Sequence, residues 1–168
     1  MIHVCSLAHL PGTVQATGAS HVITVMADVA QVKRPSSILQ DNHLVISMDD
    51  IIEEAEGFTA PAVDHVERVL SFGRSWNRAA PMVIHCYAGI SRSTASAFAV
   101  VCALNPNRSE SQIARQIRSV SAFAHPNRLI VSHADRLLGR EGRMLRALDD
   151  MGPGNLTVEG RPFRIDLD

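Results

Sequence analysis

A thiol and a guanidinium stand six residues apart in the stretch His85-Cys86-Tyr87-Ala88-Gly89-Ile90-Ser91-Arg92-Ser93. Five intervening residues let a loop curl so that Cys86 and Arg92 face a common centre. The backbone N–H groups of residues 87 to 92 (Tyr87, Ala88, Gly89, Ile90, Ser91 and Arg92) then converge as an anion nest. A tetrahedral oxyanion the size of phosphate fits such a cup, and Arg92 can hold two of its oxygens at once. Gly89 permits a positive φ or a close backbone approach. The thiolate, not the thiol, is the nucleophile, and a cation beside a helix N-terminus favours it. Cys86 is therefore expected to be a thiolate at neutral pH, placed to attack phosphorus in line with the leaving group. The Ser93 hydroxyl is expected to hydrogen-bond the sulfur and ease its departure in a second step. For this composition the combination arises by chance about once in ten thousand sequences.

Such a loop must be held between a strand and a helix. Apolar, β-branched runs at 2–7, 21–26, 43–48 and 81–86 read as short strands, and the last of them delivers Cys86. Between the third and fourth, Ala62, Val63, Val66, Val69, Leu70 and Trp76 have helical spacing, with Thr59 as a candidate N-cap and Pro61 near the start. A strand, helix, strand order implies a parallel pair joined by a right-handed crossover. After residue 92 the pattern turns helical. STASAFAVVCAL is small and apolar nearly all round, as a helix buried on a sheet should be. Ser109 with Gln112 forms a capping box, Pro126 opens a further helix, and a last one is expected around Met144 to Leu148. Residues 1–151 then form one catalytic domain, and 152–168 a C-terminal tail or packing arm.

Composition narrows the function classes. Of 168 residues, 46% are hydrophobic and 20% charged, which excludes a disordered chain, and the net charge of −1 shows no basic excess for nucleic acid or an anionic membrane. The cations are arginine with the single exception of Lys33, so local anion sites remain open. Cys5, Cys86 and Cys102 are too few and scattered for a disulfide framework. No basic n-region precedes a long apolar stretch, and the most apolar run, 94–104, is too short to span a bilayer. These features point to a soluble protein of a reducing cytoplasm. No histidine pair has ligand spacing, so no metal and no cofactor are expected. Cys5 and Cys102 read as core residues rather than resolving thiols. Lys33 and Arg34 form a small basic loop that could bias a pocket rim towards acidic substrates. Arg115, Arg118, Arg136, Arg140, Arg143 and Arg146 are expected on a wet face with Asp135, Glu141 and Asp149.

Expelling an alkoxide or phenolate also requires an acid on the side away from the thiolate. The carboxylates before the loop are Asp28, Asp41, Asp49, Asp50, Glu53, Glu54, Glu56, Asp64 and Glu67, and the residues alone leave the choice open.

The stretch HCYAGISRST resembles the H-C-x-x-G-x-x-R-[ST] signature of the protein tyrosine phosphatase superfamily, in the A-G-I-S-R-S form of small dual-specificity phosphatases. Pro126-Asn127 before an apolar helix resembles the P-N segment of those proteins. HLVISMDDI resembles their strand ending in the general-acid aspartate, and the likeness spans about residues 2–140. The resemblance implies an α/β fold: a central, mostly parallel twisted sheet of four to five strands flanked by helices. It also implies a metal-free cysteine-dependent phosphomonoester hydrolase working through a phosphocysteine intermediate. Asp50 then falls where the family has its acid, with Asp49 as the neighbouring alternative and the Glu53–Glu56 stretch as a further one. His85 is implied as a supporting residue behind the thiolate.

Phosphotyrosine, alone or with phosphoserine and phosphothreonine, is the expected substrate class. A phosphorylated protein or a small phosphomonoester is the expected partner, with no nucleic-acid partner and no membrane. Phosphoinositide, nucleotide and RNA 5′-phosphate substrates fit the same chemistry. Two rival readings are a rhodanese-like sulfurtransferase, which also cradles an anion above a loop cysteine, and a non-catalytic phosphoprotein-binding module.

Overall fold

A computed structural model describes residues 1–167, among which are five β-strands and six α-helices. Strands β1 (Ile2–Ser6), β2 (His21–Val25), β3 (His43–Ile46) and β4 (Met82–Cys86) run parallel, while β5 (Phe163–Ile165) runs antiparallel to β1. The order across the sheet is β3-β2-β4-β1-β5. This is the α/β architecture expected from the sequence, with β4 at the centre.

The two-residue period of the strands divides the core. Ile2, Val4, Ile23, Val25, Met82 and Ile84 face the helical layer, and Cys5, Val22 and Val83 face the opposite side. On that second side lie α1 (Leu10–Thr17) and Ile38, from the connection between β2 and β3, which holds only two 3₁₀ turns. The helical layer holds α2 (Val63–Ser75), α3 (Arg92–Leu104), α4 (Glu110–Val120), α5 (Arg128–Leu137) and α6 (Arg143–Met151). Helix α3 is buried from Arg92 to Cys102, and its small residues let neighbours approach closely. A Cβ on Gly73 of α2 would lie 2.8 Å from Val100 of α3, so the two helices cross near contact distance.

Several local expectations are corrected. Helix α2 begins at Val63 with Ala62 as N-cap, not at Thr59, whose backbone instead pairs with Asp49. Asn127, not Pro126, starts α5: its Oδ1 accepts from the N–H groups of Leu129 and Ile130. Ser109 Oγ does accept from Gln112 N–H. Helix α1 was not anticipated, because Pro11, Gly12, Thr13 and Thr17 are weak helix formers. The segment after residue 151 carries β5.

The expected wet face of arginines is also corrected in part. Arg140 and Asp135 are buried. Arg140 donates to Glu110 Oε1 at 2.9 Å and to the Cys102 carbonyl, and Asp135 accepts from the N–H groups of Gly142 and Met144. Burial works to raise the Glu110 carboxyl, but its own backbone amide and the neighbouring Arg143 and Arg140 hold it below its ordinary value. This cluster joins α4 and the α5–α6 turn to the C-terminal end of α3.

Candidate active site

Strand β4 ends at Cys86 and α3 begins at Arg92, so residues 87–91 form a loop at the carboxyl edge of a parallel sheet. In open α/β sheets that edge is where ligands bind. Four carbonyls of the loop are turned outward into the scaffold. Tyr87 O accepts from Leu7 N–H, Ala88 O from Gly160 N–H, Ile90 O from His125 N–H and Ser91 O from Asn127 N–H, at 2.8 to 3.3 Å. In a trans peptide the carbonyl and the following N–H point in opposite directions. The N–H groups of Ala88, Gly89, Ser91 and Arg92 are therefore turned towards the centre of the loop, which gives the nest expected from the sequence a structural cause. Gly89 N–H shows the result, because it donates to Cys86 Sγ at 3.2 Å.

Gly89 has φ +72° and lies against the end of β1. A Cβ there would stand 2.7 Å from the Cys5 carbonyl carbon and from Ser6 N. Only glycine fits both the backbone conformation and the contact.

Cys86 is buried, and its sulfur lies 3.1 Å from Ser93 Oγ, the contact anticipated from the spacing. Arg92 is 9% exposed. Its Nη1 donates to the Met48 carbonyl at 2.8 Å, just beyond β3, while Nε is buried without a hydrogen-bond partner among the described residues. A buried, unpartnered guanidinium N–H is costly unless a ligand takes it, and an oxyanion above the loop would do so.

Asp50 reaches the same place. Its Oδ1 accepts from Ser91 Oγ at 2.7 Å and Asn127 Nδ2 at 2.8 Å, and its Oδ2 lies 4.0 Å from Arg92 Nε. Asp49 points elsewhere, with its carboxylate accepting from Thr59 N–H at 2.7 Å. Glu53, Glu54 and Glu56 line a separate hollow with Phe58, Pro61 and Leu129. Arg34 donates to the Ile38 carbonyl inside its own loop, and neither it nor Lys33 lines a cavity beside the Cys86 loop.

His85 lies inside the sheet. Its Nε2 is 2.6 Å from Thr24 Oγ1, which is also 2.8 Å from His43 Nε2, and its Nδ1 is 3.4 Å from the Cys86 carbonyl. A carbonyl only accepts, so His85 Nδ1 carries the proton, Nε2 accepts from the Thr24 hydroxyl, and His43 donates to Thr24. Burial lowers the His85 pKa from 6.5 to about 4, so the ring is neutral at pH 7. Because the folded value lies below the unfolded one, this group's stability contribution is complete above pH 6.5 and is lost as the pH falls towards 4. A loss of about 3 kcal/mol is expected over that window. Urea unfolding at pH 7 and pH 4.5 checks it: a His85→Gln variant should show a smaller acid loss, and equal losses would refute the assignment.

Burial pushes the thiols of Cys5 and Cys102 up to about 12, consistent with packing roles.

Sequence reasoning did not assign the residues that hold the loop from outside. Asn127 spends every polar atom, capping α5, holding Asp50 and donating to the Ile51 and Ser91 carbonyls. An asparagine opening a helix was the available signal. Thr24, Ser6, Glu159 and Gly160 gave none, since their partners are distant in the chain.

No family model and no curated protein matches the sequence. Solved structures do. The PTP-2 phosphatase of Cydia pomonella superposes with TM-score 0.63 at 20% identity, covering 80% of this chain and 84% of the other. Human DUSP28 gives TM-score 0.64 at 15% identity over 83% and 89%, and DUSP15 gives 0.62 at 18% over 92% and 94%. The fold is that of the dual-specificity phosphatases. Within a dual-specificity phosphatase fold, the loop from Cys86 to Arg92 lies at the carboxyl end of the central strand, the position the sequence motif had implied.

Among the described residues, no helix is long and apolar enough to cross a membrane, and no three His, Cys, Asp or Glu side chains gather as a metal site would require.

Proposed function

We propose that the protein is a cysteine-dependent phosphomonoester hydrolase of the dual-specificity kind. The observation that carries this reading is the pairing, within one loop, of a sulfur receiving two hydrogen-bond contacts with a buried guanidinium whose Nε has no hydrogen-bond partner among the described residues.

In the first step an S–P bond forms between Cys86 and the phosphoryl group, the P–O bond to the leaving group breaks, and Asp50 gives its proton to the leaving oxygen. In the second, Asp50 takes a proton from water, the water oxygen bonds phosphorus, and the S–P bond breaks. Ser93 Oγ, 3.1 Å from the sulfur, stabilises the thiolate that departs. The inward N–H groups and Arg92 stabilise the charge on the equatorial oxygens in both steps, the part that fixed donors play in any oxyanion site. The contacts of Asp50 with Ser91 and Asn127 favour it as the acid over Asp49, which is engaged with Thr59. The His85 ring, neutral and fixed by Thr24, supports the Cys86 carbonyl from behind.

Leaving-group dependence tests the scheme. In Asp50→Asn, hydrolysis of phenyl phosphate, whose leaving group is about as basic as tyrosine, is expected to fall about 10²- to 10³-fold. Hydrolysis of p-nitrophenyl phosphate, with its more acidic phenol, should fall much less. Equal losses on both would move the acid to another residue. Rhodanese-like transfer needs no such acid, so thiosulfate-to-cyanide activity in the pure protein would favour that rival.

A further inference from the structure

Residues 152–160, beyond α6, are tied down at both ends. Arg118 donates to the Gly152 carbonyl, Gly154 N–H to His125 Nδ1, and Asn155 N–H to the Ala122 carbonyl. At the other end Gly160 N–H donates to Ala88 O, and Glu159 Oε1 accepts from Ser6 Oγ and lies 3.3 Å from His9 Nδ1. The fit at Gly160 is close: a Cβ would stand 2.9 Å from Gly89 O. Between these anchors, Leu156 is 100% exposed and Val158 95% exposed. Two large apolar side chains left in solvent on a segment anchored at both ends make it a candidate contact surface.

The arm forms one wall of a cleft of about 650 Å³. Ile52, Ile90, Phe123, Leu148, Pro153 and Leu156 give it an apolar lining, and it opens onto Asp50, Ser91 and Asn127 of the candidate active site. Its charged side chains besides Asp50 are Arg128 and Asp149, which neutralise each other in a two-point contact (Nη1–Oδ1 2.5 Å, Nη2–Oδ2 3.4 Å). No cation in the cleft is therefore left to hold a second phosphate. Glu53, Glu54 and Glu56 line the adjoining hollow, which shares Ile52 with the cleft, so an anionic lipid surface would be repelled there.

We propose that the C-terminal arm builds a second binding site beside the Cys86 loop, which takes an apolar side chain flanking the phosphorylated residue of a protein substrate. The inference rests on the phosphatase reading for the phosphate itself, but the cleft's preference can be measured without turnover.

Two phosphotyrosine peptides differing only in leucine or serine next to the phosphotyrosine provide the test. Binding is followed by fluorescence anisotropy with Cys86→Ser protein, and kcat/KM with the unaltered enzyme. The leucine peptide is expected to bind about tenfold more tightly. Leu156→Ser and Ile52→Ser should each shrink that ratio towards one. Since both side chains are exposed, folding is not at stake. Turnover of both peptides with equal affinities would overturn the second site and leave the hydrolase standing. A leucine preference without turnover by the unaltered enzyme would uphold the site and overturn the hydrolase. Binding to phosphatidylserine vesicles more tightly than to either peptide would overturn the proposal in favour of a lipid occupant.

Discussion

Cys86→Ser is expected to lower turnover of p-nitrophenyl phosphate by about 10⁴-fold or more. The cause is chemical rather than steric. Serine fills nearly the same volume at the buried end of β4, and Gly89 N–H and Ser93 Oγ remain in place to contact it. A hydroxyl does not ionise at neutral pH as a thiol can, and His85, turned to Thr24 and the Cys86 carbonyl, is not placed to take its proton. A loss of that size corresponds to about 5 kcal/mol of transition-state stabilisation. Phosphate should still bind, because the inward N–H groups and the Arg92 guanidinium are untouched. The pair of measurements is a rapid acid quench for phosphorylated protein, present in the unaltered enzyme and absent in the variant, and phosphate titration calorimetry on both. Turnover within tenfold of the unaltered enzyme would place the nucleophile elsewhere.

The contrast between what the sequence conveyed and what it withheld follows chain distance. Cys86, Gly89, Arg92 and Ser93 sit within eight consecutive residues, so their spacing alone states a geometry, and the structure places Ser93 Oγ and Gly89 N–H on the sulfur. Asp50 lies 41 residues from its partner Ser91, so only strand matching through the family resemblance could single it out as the expected acid, and the contact of Asp49 with Thr59 left no signal in the sequence. Strand β5 is three residues long and joins the sheet edge at β1, so its alternation of Phe163 and Ile165 is too brief to announce a strand. Arg140 and Asp135 look like solvated helix charges until α4 brings Glu110 to one and the α5–α6 turn presents its amides to the other. Burial of a charge depends on its partner, and a partner from another element leaves no local pattern.

Arg92→Lys is the other change of large expected effect, and it separates geometry from charge. The guanidinium has two separate tasks. Nη1 holds the Met48 carbonyl beyond β3, which restrains the plane, and the buried Nε, 4.0 Å from Asp50 Oδ2, has no hydrogen-bond partner among the described residues. A lysine ammonium keeps the charge but has no planar fork, so it can satisfy Met48 or reach an oxyanion, not both in fixed geometry. Losing one well-placed donor from an oxyanion site costs about 10²- to 10³-fold in rate. The loss should be larger in the transition state than in the ground state, because only there do equatorial oxygens spread into the plane that a bidentate donor matches. Vanadate, which adopts a five-coordinate geometry on a thiolate, therefore serves as the discriminating probe. Its inhibition should weaken far more than phosphate binding in Arg92→Lys, and kcat should fall more than KM rises. Equal weakening of vanadate and phosphate would mean that Arg92 contributes charge alone, and the unpartnered Nε would then have no catalytic meaning.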